Sequence, residues 1–108
     1  MNLPTEIFGS VIVVHTPEEL GGEQTAEFSD YIGSLERRNV VLDIDATETL
    51  DSKGLEGILD VQESLREASG DLKISTTNYI NRKILEVTRL DDQLEVFDSV
   101  VEAVKSFQ

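Results

Sequence analysis

The sequence predicts an α/β fold: a mixed, mostly parallel sheet of four to five strands packed with about four helices. Two observations lead to this prediction. Short apolar runs rich in β-branched residues recur along the chain, and segments with helical periodicity separate them. Strands that alternate with helices form βαβ crossovers, whose strands lie parallel. With 108 residues, near the modal domain size, we expect a single domain over 1–108.

The first elements follow from apolar runs and their spacing. Residues 11–14, Val-Ile-Val-Val, are typical of a buried strand, and residues 3–7 are expected to pair with them as an antiparallel hairpin. Residues 40–44 form a second run of this kind. Between them, residues 22–38 predict an amphipathic helix whose apolar positions are Phe28, Tyr31, Ile32 and Leu35.

The second half of the chain continues the alternation. A helix is expected over 52–68, with one apolar stripe facing the sheet: Leu55, Ile58, Leu59 and Leu65. Residues 72–76 alternate apolar and polar as a strand would, and Asn78 can cap a short helix with apolar Ile80, Ile84, Leu85 and Val87. Residues 96–97 predict a last strand. The final helix has an apolar stripe of Phe97, Val100, Val101, Val104 and Phe107.

Charge and composition argue against several classes of function. The chain has 22 acidic and 9 basic residues, a formal charge of −13, so it should repel nucleic-acid backbones and anionic lipid surfaces. A basic protein surface is a better partner. There is no cysteine, which removes thiolate catalysis and Cys-ligated zinc. No apolar stretch is long enough to span a bilayer and the first residues lack a basic n-region, so we expect a cytoplasmic protein.

Residues that could support catalysis occur singly. His15 is the only histidine, and without a Gly-x-Ser-x-Gly elbow it does not predict a hydrolase triad with Ser52, so we expect it to be structural or exposed. Asp43 and Asp45 end a buried strand, as in phosphoacceptor receiver domains, but the acidic pair and late lysine of such domains are missing. Nucleotide, cofactor and metal motifs are absent. We therefore expect a non-enzyme without cofactors or metal.

The segment 50–55 is distinctive because a serine precedes two early helix glycines. From physical chemistry alone, Asp51 and Ser52 can both cap the helix, and Ser52 is read as the N-cap. Gly54 and Gly57 weaken the helix, which indicates either close packing against the sheet or a flat docking surface. A helix N-terminus also favours negative charge, so a phosphate on Ser52 could be accommodated there.

Five segments, from Val40 to the C-terminus, follow one another in a characteristic order: residues 40–44, 50–55, 70–74, 84–91 and 96–103. Together they resemble the anti-sigma-factor antagonist branch of the STAS family, including stressosome-type proteins. It implies a STAS fold and Ser52 as the phosphoacceptor of a serine kinase of the histidine-kinase-like ATPase type. The unphosphorylated chain would bind that kinase or an anti-sigma factor. The partner-binding residues implied around the serine are Asp51, Lys53, Gly54, Glu56 and Gly57.

The sequence departs from that family pattern at two positions. Lys53 stands where a small residue is usual, and Gly21 stands where relatives commonly have the aspartate of a Gly-x-Leu-Asp-like turn. A phosphatase or other STAS proteins are further candidate partners. The alternative function is an unphosphorylated STAS scaffold or a small-ligand-binding module, which differs in requiring no modification of Ser52.

Overall fold

The computed structural model describes residues 1–108 and has the mixed α/β architecture that the sequence predicts. The elements in chain order are β1 Thr5–Phe8, β2 Val11–His15, β3 Glu19–Leu20, α1 Gln24–Gly33, β4 Asn39–Asp43, β5 Thr49–Leu50, α2 Ser52–Glu67, β6 Asp71–Ser75, α3 Tyr79–Val87, a 3₁₀ turn Leu90–Asp92, β7 Val96–Phe97 and α4 Val100–Lys105. The main sheet has the order β1-β2-β4-β6-β7. Only β1 is antiparallel to its neighbour.

The N-terminal hairpin supplies the antiparallel edge of the sheet, as predicted. Phe8 pairs with Val11, which leaves Gly9 and Ser10 as the turn. Gly9 has a φ of +63°, a conformation that glycine adopts without steric cost. The residues of β1 are exposed whereas Val11 to Val14 of β2 are buried, because β2 lies inside the sheet and β1 at its edge.

Helices cover both faces of the sheet. Alternate strand residues point to opposite faces, so Val40 and Leu42 of β4 face one side and Val41 faces the other. The larger core lies under α1, α2 and α3 and has 16 buried residues. The smaller core lies under α4 and consists of Val11, Val13, Val41, Ala103 and Val104. No helix is both long and apolar enough to cross a membrane.

Lys73 is buried although the alternation of residues 72–76 places it on a polar face. Its register partner Val41 lies on the α4 side of the sheet, so α4 covers Lys73 as well. The Lys73 ammonium donates to the Ser106 hydroxyl at 2.8 Å and to its carbonyl at 3.2 Å, and it lies 4.4 Å from the centre of the Phe107 ring. The lysine therefore attaches the C-terminal segment to the sheet.

Other predictions needed correction at the ends and faces of helices. Helix α1 ends at Gly33, so Leu35 lies beyond it in a turn, where it still packs on the core. Helix α4 covers only Val100–Lys105, so the predicted stripe residues Phe97, in β7, and Phe107 lie outside it. Val101 is exposed, and Ala103 is buried in its place. In α2, Leu55, Ile58 and Leu65 are buried as predicted and Leu59 is partly buried. The short strands β3 and β5, which pair with each other, were not predicted.

The two early glycines of α2 allow close packing, but against β3 and α1 rather than against the main sheet. A Cβ at Gly54 would collide with the backbone carbonyl of Leu20. A Cβ at Gly57 would collide with the Thr25 side chain. Both glycines are buried. The start of α2 is therefore held against the domain at a distance that only glycine permits.

We expect Gly54→Ala to destabilise the fold by about 1–2 kcal/mol. The new Cβ must displace backbone atoms of β3, which costs about 2–3 kcal/mol, at the upper end of the usual overpacking penalty. The gain of about 1 kcal/mol that alanine usually brings to a helix offsets part of this cost. The control is Gly33→Ala in α1, where a Cβ would meet open space, and its stability should stay unchanged or rise slightly. Urea denaturation measures both. A Gly54→Ala chain as stable as wild type would contradict the close packing.

Candidate functional site

Asp51, not Ser52, is the N-cap of α2. The Asp51 backbone is extended, with φ −94° and ψ −179°, and its Oδ1 accepts a hydrogen bond from the Gly54 N–H at 2.9 Å. The Asp51 carbonyl accepts from Leu55 N at 3.0 Å, which closes the first turn. The interpretation of Ser52 as the cap is therefore wrong, since an aspartate one residue earlier already satisfies the free N–H group.

Ser52 lies at the first position of α2 with an exposed side chain. Lys53 and Glu56 are exposed as well, and Asp51 is exposed beside its cap bond. Gly54 and Gly57 are buried instead, so they position the helix and offer a partner little surface. The structure thus brings four of the six expected site residues to one surface and places the two glycines beneath it.

Gly21 leaves the space that the Asp51 carboxylate occupies. A Cβ at position 21 would collide with the Asp51 carboxyl group. An aspartate there, as in the related turn, would need the same space and add a second negative charge beside Asp51. An open groove of about 340 Å³ follows this loop and includes the acidic side chains of Glu19, Glu23 and Asp51. These acidic side chains favour a basic group on any partner that enters the groove.

A buried hydrogen-bond network holds the loop that leads to Ser52. The Asn81 side chain donates to the carbonyls of Ile44 at 3.0 Å and Thr47 at 2.7 Å. The Thr47 hydroxyl donates to the Pro17 carbonyl at 2.6 Å and lies 2.5 Å from the Thr16 hydroxyl. Sequence reasoning missed Asn81. The sequence signal for Asn81 is its spacing: it lies four positions before Leu85, so both side chains are on the inner face of α3.

Asp45 fixes the turn that precedes α3. It accepts hydrogen bonds from the Thr76 hydroxyl at 2.9 Å and from the backbone N–H and hydroxyl of Thr77 at 2.6 and 3.1 Å. Burial opposes ionisation of Asp45, but these hydrogen bonds outweigh it and lower its pKa below the usual 3.8. The carboxylate is therefore used as an acceptor within the fold, unlike the phosphoacceptor of a receiver domain.

His15 bridges two carboxylates on the strands to either side of β2. Its Nδ1 lies 2.8 Å from Asp43 Oδ2 on β4, and its Nε2 lies 2.8 Å from Glu6 Oε1 on β1. Burial opposes the charged imidazolium, but the hydrogen bonds and negative charges of Glu6 and Asp43 outweigh it and raise the pKa of His15 above 6.5. With both ring nitrogens engaged, His15 is structural and is not positioned as a base for Ser52.

We expect His15→Gln to cost more stability near pH 5.5 than near pH 8.5. Because the pKa of His15 is raised on folding, its contribution is fully present below pH 6.5 and is lost as the pH rises through the folded value. Because the ion pair is partly exposed, the stability cost at the two pH values should differ by about 1 kcal/mol or less. Urea denaturation at both pH values measures it, and NMR titration gives the pKa. A folded His15 pKa of 6.5 or lower would exclude the bridge.

The cap assignment predicts unequal effects at neighbouring positions. Asp51→Ala should lower the free energy of unfolding by about 1 kcal/mol, because the Gly54 N–H loses its acceptor. Ser52→Ala should change it by less than about 0.5 kcal/mol, since an exposed side chain outside the cap is removed. Thermal or urea denaturation measures the stability of both variants. A larger loss for Ser52→Ala than for Asp51→Ala would restore Ser52 as the cap.

These features define the class of protein: a mixed sheet covered by helices, in which the helix after the second parallel strand begins at an exposed serine. The chain belongs to the STAS domain family, whose profile matches residues 2–103. Among curated proteins, no sequence matches the chain significantly.

Solved structures of similar fold include anti-sigma-factor antagonists. The antagonist from Mycobacterium paratuberculosis is 21% identical, with a TM-score of 0.83 over 97% of this chain and 92% of that one. Phosphorylated SpoIIAA, a cell-fate determinant from Bacillus, is 14% identical, with a TM-score of 0.71 over 99% and 100%. SpoIIAA in its unphosphorylated form is 16% identical, with a TM-score of 0.73 over 98% and 96%. At these identities the similarity establishes the fold.

Proposed function

We propose that this chain is a non-catalytic, phosphorylation-switched interaction module of the anti-sigma-factor antagonist type, with Ser52 as its phosphoacceptor. The 108 residues act as one STAS domain in the cytoplasm. The partner is an anti-sigma factor or a serine kinase of the histidine-kinase-like ATPase type, with a phosphatase or other STAS proteins as additional partners. Ser52, Lys53, Glu56 and Asp51 form the contact surface, which Gly54 and Gly57 support from below.

The observation that carries the proposal is the position of Ser52. Its side chain is exposed at the first position of α2 and does not take part in the cap, so it is accessible to a kinase and its modification breaks no hydrogen bond of the fold. A helix N-terminus stabilises nearby negative charge. Phosphorylation should therefore leave the domain folded.

The same phosphate should weaken partner binding. It adds a charge of about −1.5 to −2 near neutral pH, close in sequence to the exposed residues Glu48, Asp51 and Glu56. A partner whose basic groups approach this surface must then accommodate a bulky, hydrated group in the middle of the contact. Lys53 offsets part of the added charge, which makes the switch shallower than in relatives that have a small residue there.

The comparisons support the proposal at the level of the family. SpoIIAA, which shares the fold, is an anti-sigma-factor antagonist and exists in phosphorylated and unphosphorylated forms. Ser52 occupies an exposed position that is chemically suited to the same modification. The acidic groove beside it, with Glu19 and Glu23, agrees with a basic complement on the partner.

We expect Ser52 to be phosphorylated in chain purified from its own cells, and the modified chain to bind the kinase or anti-sigma factor at least tenfold more weakly, equivalent to about 1.4 kcal/mol. Intact-protein and peptide mass spectrometry locate the phosphate. Calorimetry gives both affinities, with circular dichroism to show that both chains are folded. Ser52→Ala should bind but resist modification.

The matched control is Ser64→Ala, which removes another exposed serine of α2, and which should be phosphorylated and bind as wild type does. Equal affinities of the folded modified and unmodified chains would reject the switch. The domain would then be the scaffold or ligand-binding module that is the alternative.

A further inference from the structure

We propose that the partner surface continues from Ser52 onto the outer face of α3, where it binds an apolar segment of the partner. This inference rests on the proposed function, since it concerns the same partner. It adds a second contact region of different chemistry, defined by Tyr79, Ile80, Lys83 and Val87, which we call the α3 face.

The α3 face exposes more apolar surface than folding requires. On the inner side of α3, Asn81 and Leu85 are buried in the domain. On the outer side, Tyr79 is 74% exposed, Ile80 67% and Val87 71%. These side chains line an open groove of about 330 Å³ together with Lys83, Ile84 and Thr88. Contiguous exposed apolar side chains on a small protein mark an interaction site.

The α3 face begins at the same edge of the sheet as the Ser52 surface. Both α2 and α3 follow the carboxyl ends of parallel strands, β4 and β6. Asn81, in the first turn of α3, binds the carbonyls of Ile44 and Thr47 in the segment that leads to Ser52. One rigid network therefore supports the starts of both regions.

The two regions differ in chemistry. Residues 45–56 contain four carboxylates, Asp45, Glu48, Asp51 and Glu56, and one cation, Lys53. Residues 79–89 contain three cations, but Arg82 is paired with Asp98 at 2.6 Å and Lys83 lies 3.8 Å from Glu86. The α3 face therefore offers a partner mainly apolar contacts, whereas the Ser52 surface offers mainly charged ones.

The size of the α3 face also indicates a shared interface. A helix of nine residues is about 13.5 Å long, so it offers well under the roughly 800 Å² per partner that a specific complex buries. Joined to the Ser52 surface, it provides the apolar contacts that the charged surface lacks. Apolar and aromatic anchors such as Ile80 and Tyr79 usually provide most of the affinity of an interface. The charged Ser52 surface then makes the affinity depend on phosphorylation.

The test measures the initial rate of Ser52 phosphorylation in soluble extract of the source cells supplied with ATP, using mass spectrometry. At limiting chain concentration, Ile80→Ser should lower the rate about fivefold or more, and Val87→Ser by less, because Val87 lies farther from the sheet edge. Raising the concentration of the variant chain should restore the rate. The matched control is Val101→Ser on α4, 60% exposed on the opposite face of the sheet, which should leave the rate unchanged.

Each other outcome has a separate meaning. If wild-type Ser52 is phosphorylated and the α3 variants react at the wild-type rate, the α3 face is not part of the interface, and the proposed function stands. If wild-type Ser52 is not phosphorylated, the proposed function fails, and this inference with it. If sedimentation velocity shows a wild-type dimer that Ile80→Ser abolishes without changing the phosphorylation rate, a second copy occupies the α3 face and the inference is overturned.

Discussion

The site depends on the close approach of the first turns of α2 to β3 and α1. Gly54 lies against the Leu20 carbonyl and Gly57 against the Thr25 side chain, at distances that exclude a Cβ. Asp51 closes the same turn through the Gly54 N–H. Because these contacts hold the helix start, Ser52 keeps a defined place on the surface without any bond of its own side chain. The proposed site is therefore held in place before any partner binds.

A second constraint joins the two surfaces that a partner would meet. In the segment between β4 and β5, Asn81 of α3 donates to the carbonyls of Ile44 and Thr47. The Ile44 carbonyl also accepts from the Thr47 N–H at 3.1 Å, so without Asn81 the Thr47 carbonyl would lose its partner. Leaving buried polar groups unpaired is costly, so a satisfied network selects one arrangement of this loop. The position of Ser52 and the start of α3 are therefore linked through shared, buried atoms. The Ser52 side chain lies outside this network, so a charge added to it would break none of these hydrogen bonds.

The predictions that succeeded rest on local patterns, and those that failed rest on contacts between distant parts of the chain. The β-branched runs became β2 and β4, and Asn78 caps α3 as expected. The two-residue strands β3 and β5 are too short to produce a period, and they exist because they pair with each other. The alternation of residues 72–76 places Lys73 on a polar face. In the structure α4 covers Lys73, and Ser106 accepts its hydrogen bonds.

By itself, the sequence determined the order and type of the main-sheet strands and of the four helices, the mostly parallel sheet with its hairpin edge, and the segment that contains the proposed site. The spacing of apolar residues and the positions of turn residues determine these features, and both can be read from a few neighbouring positions. Only the tertiary structure decided that Asp51 caps α2, that Gly54 and Gly57 are buried, and that α3 exposes Ile80 and Val87. The cap is a local contact, but Asp51 and Ser52 can both cap, and only the backbone geometry distinguishes them. The burial of the glycines and the exposure of the α3 side chains depend on atoms far away in the chain, because they are set by what the fold packs against each residue.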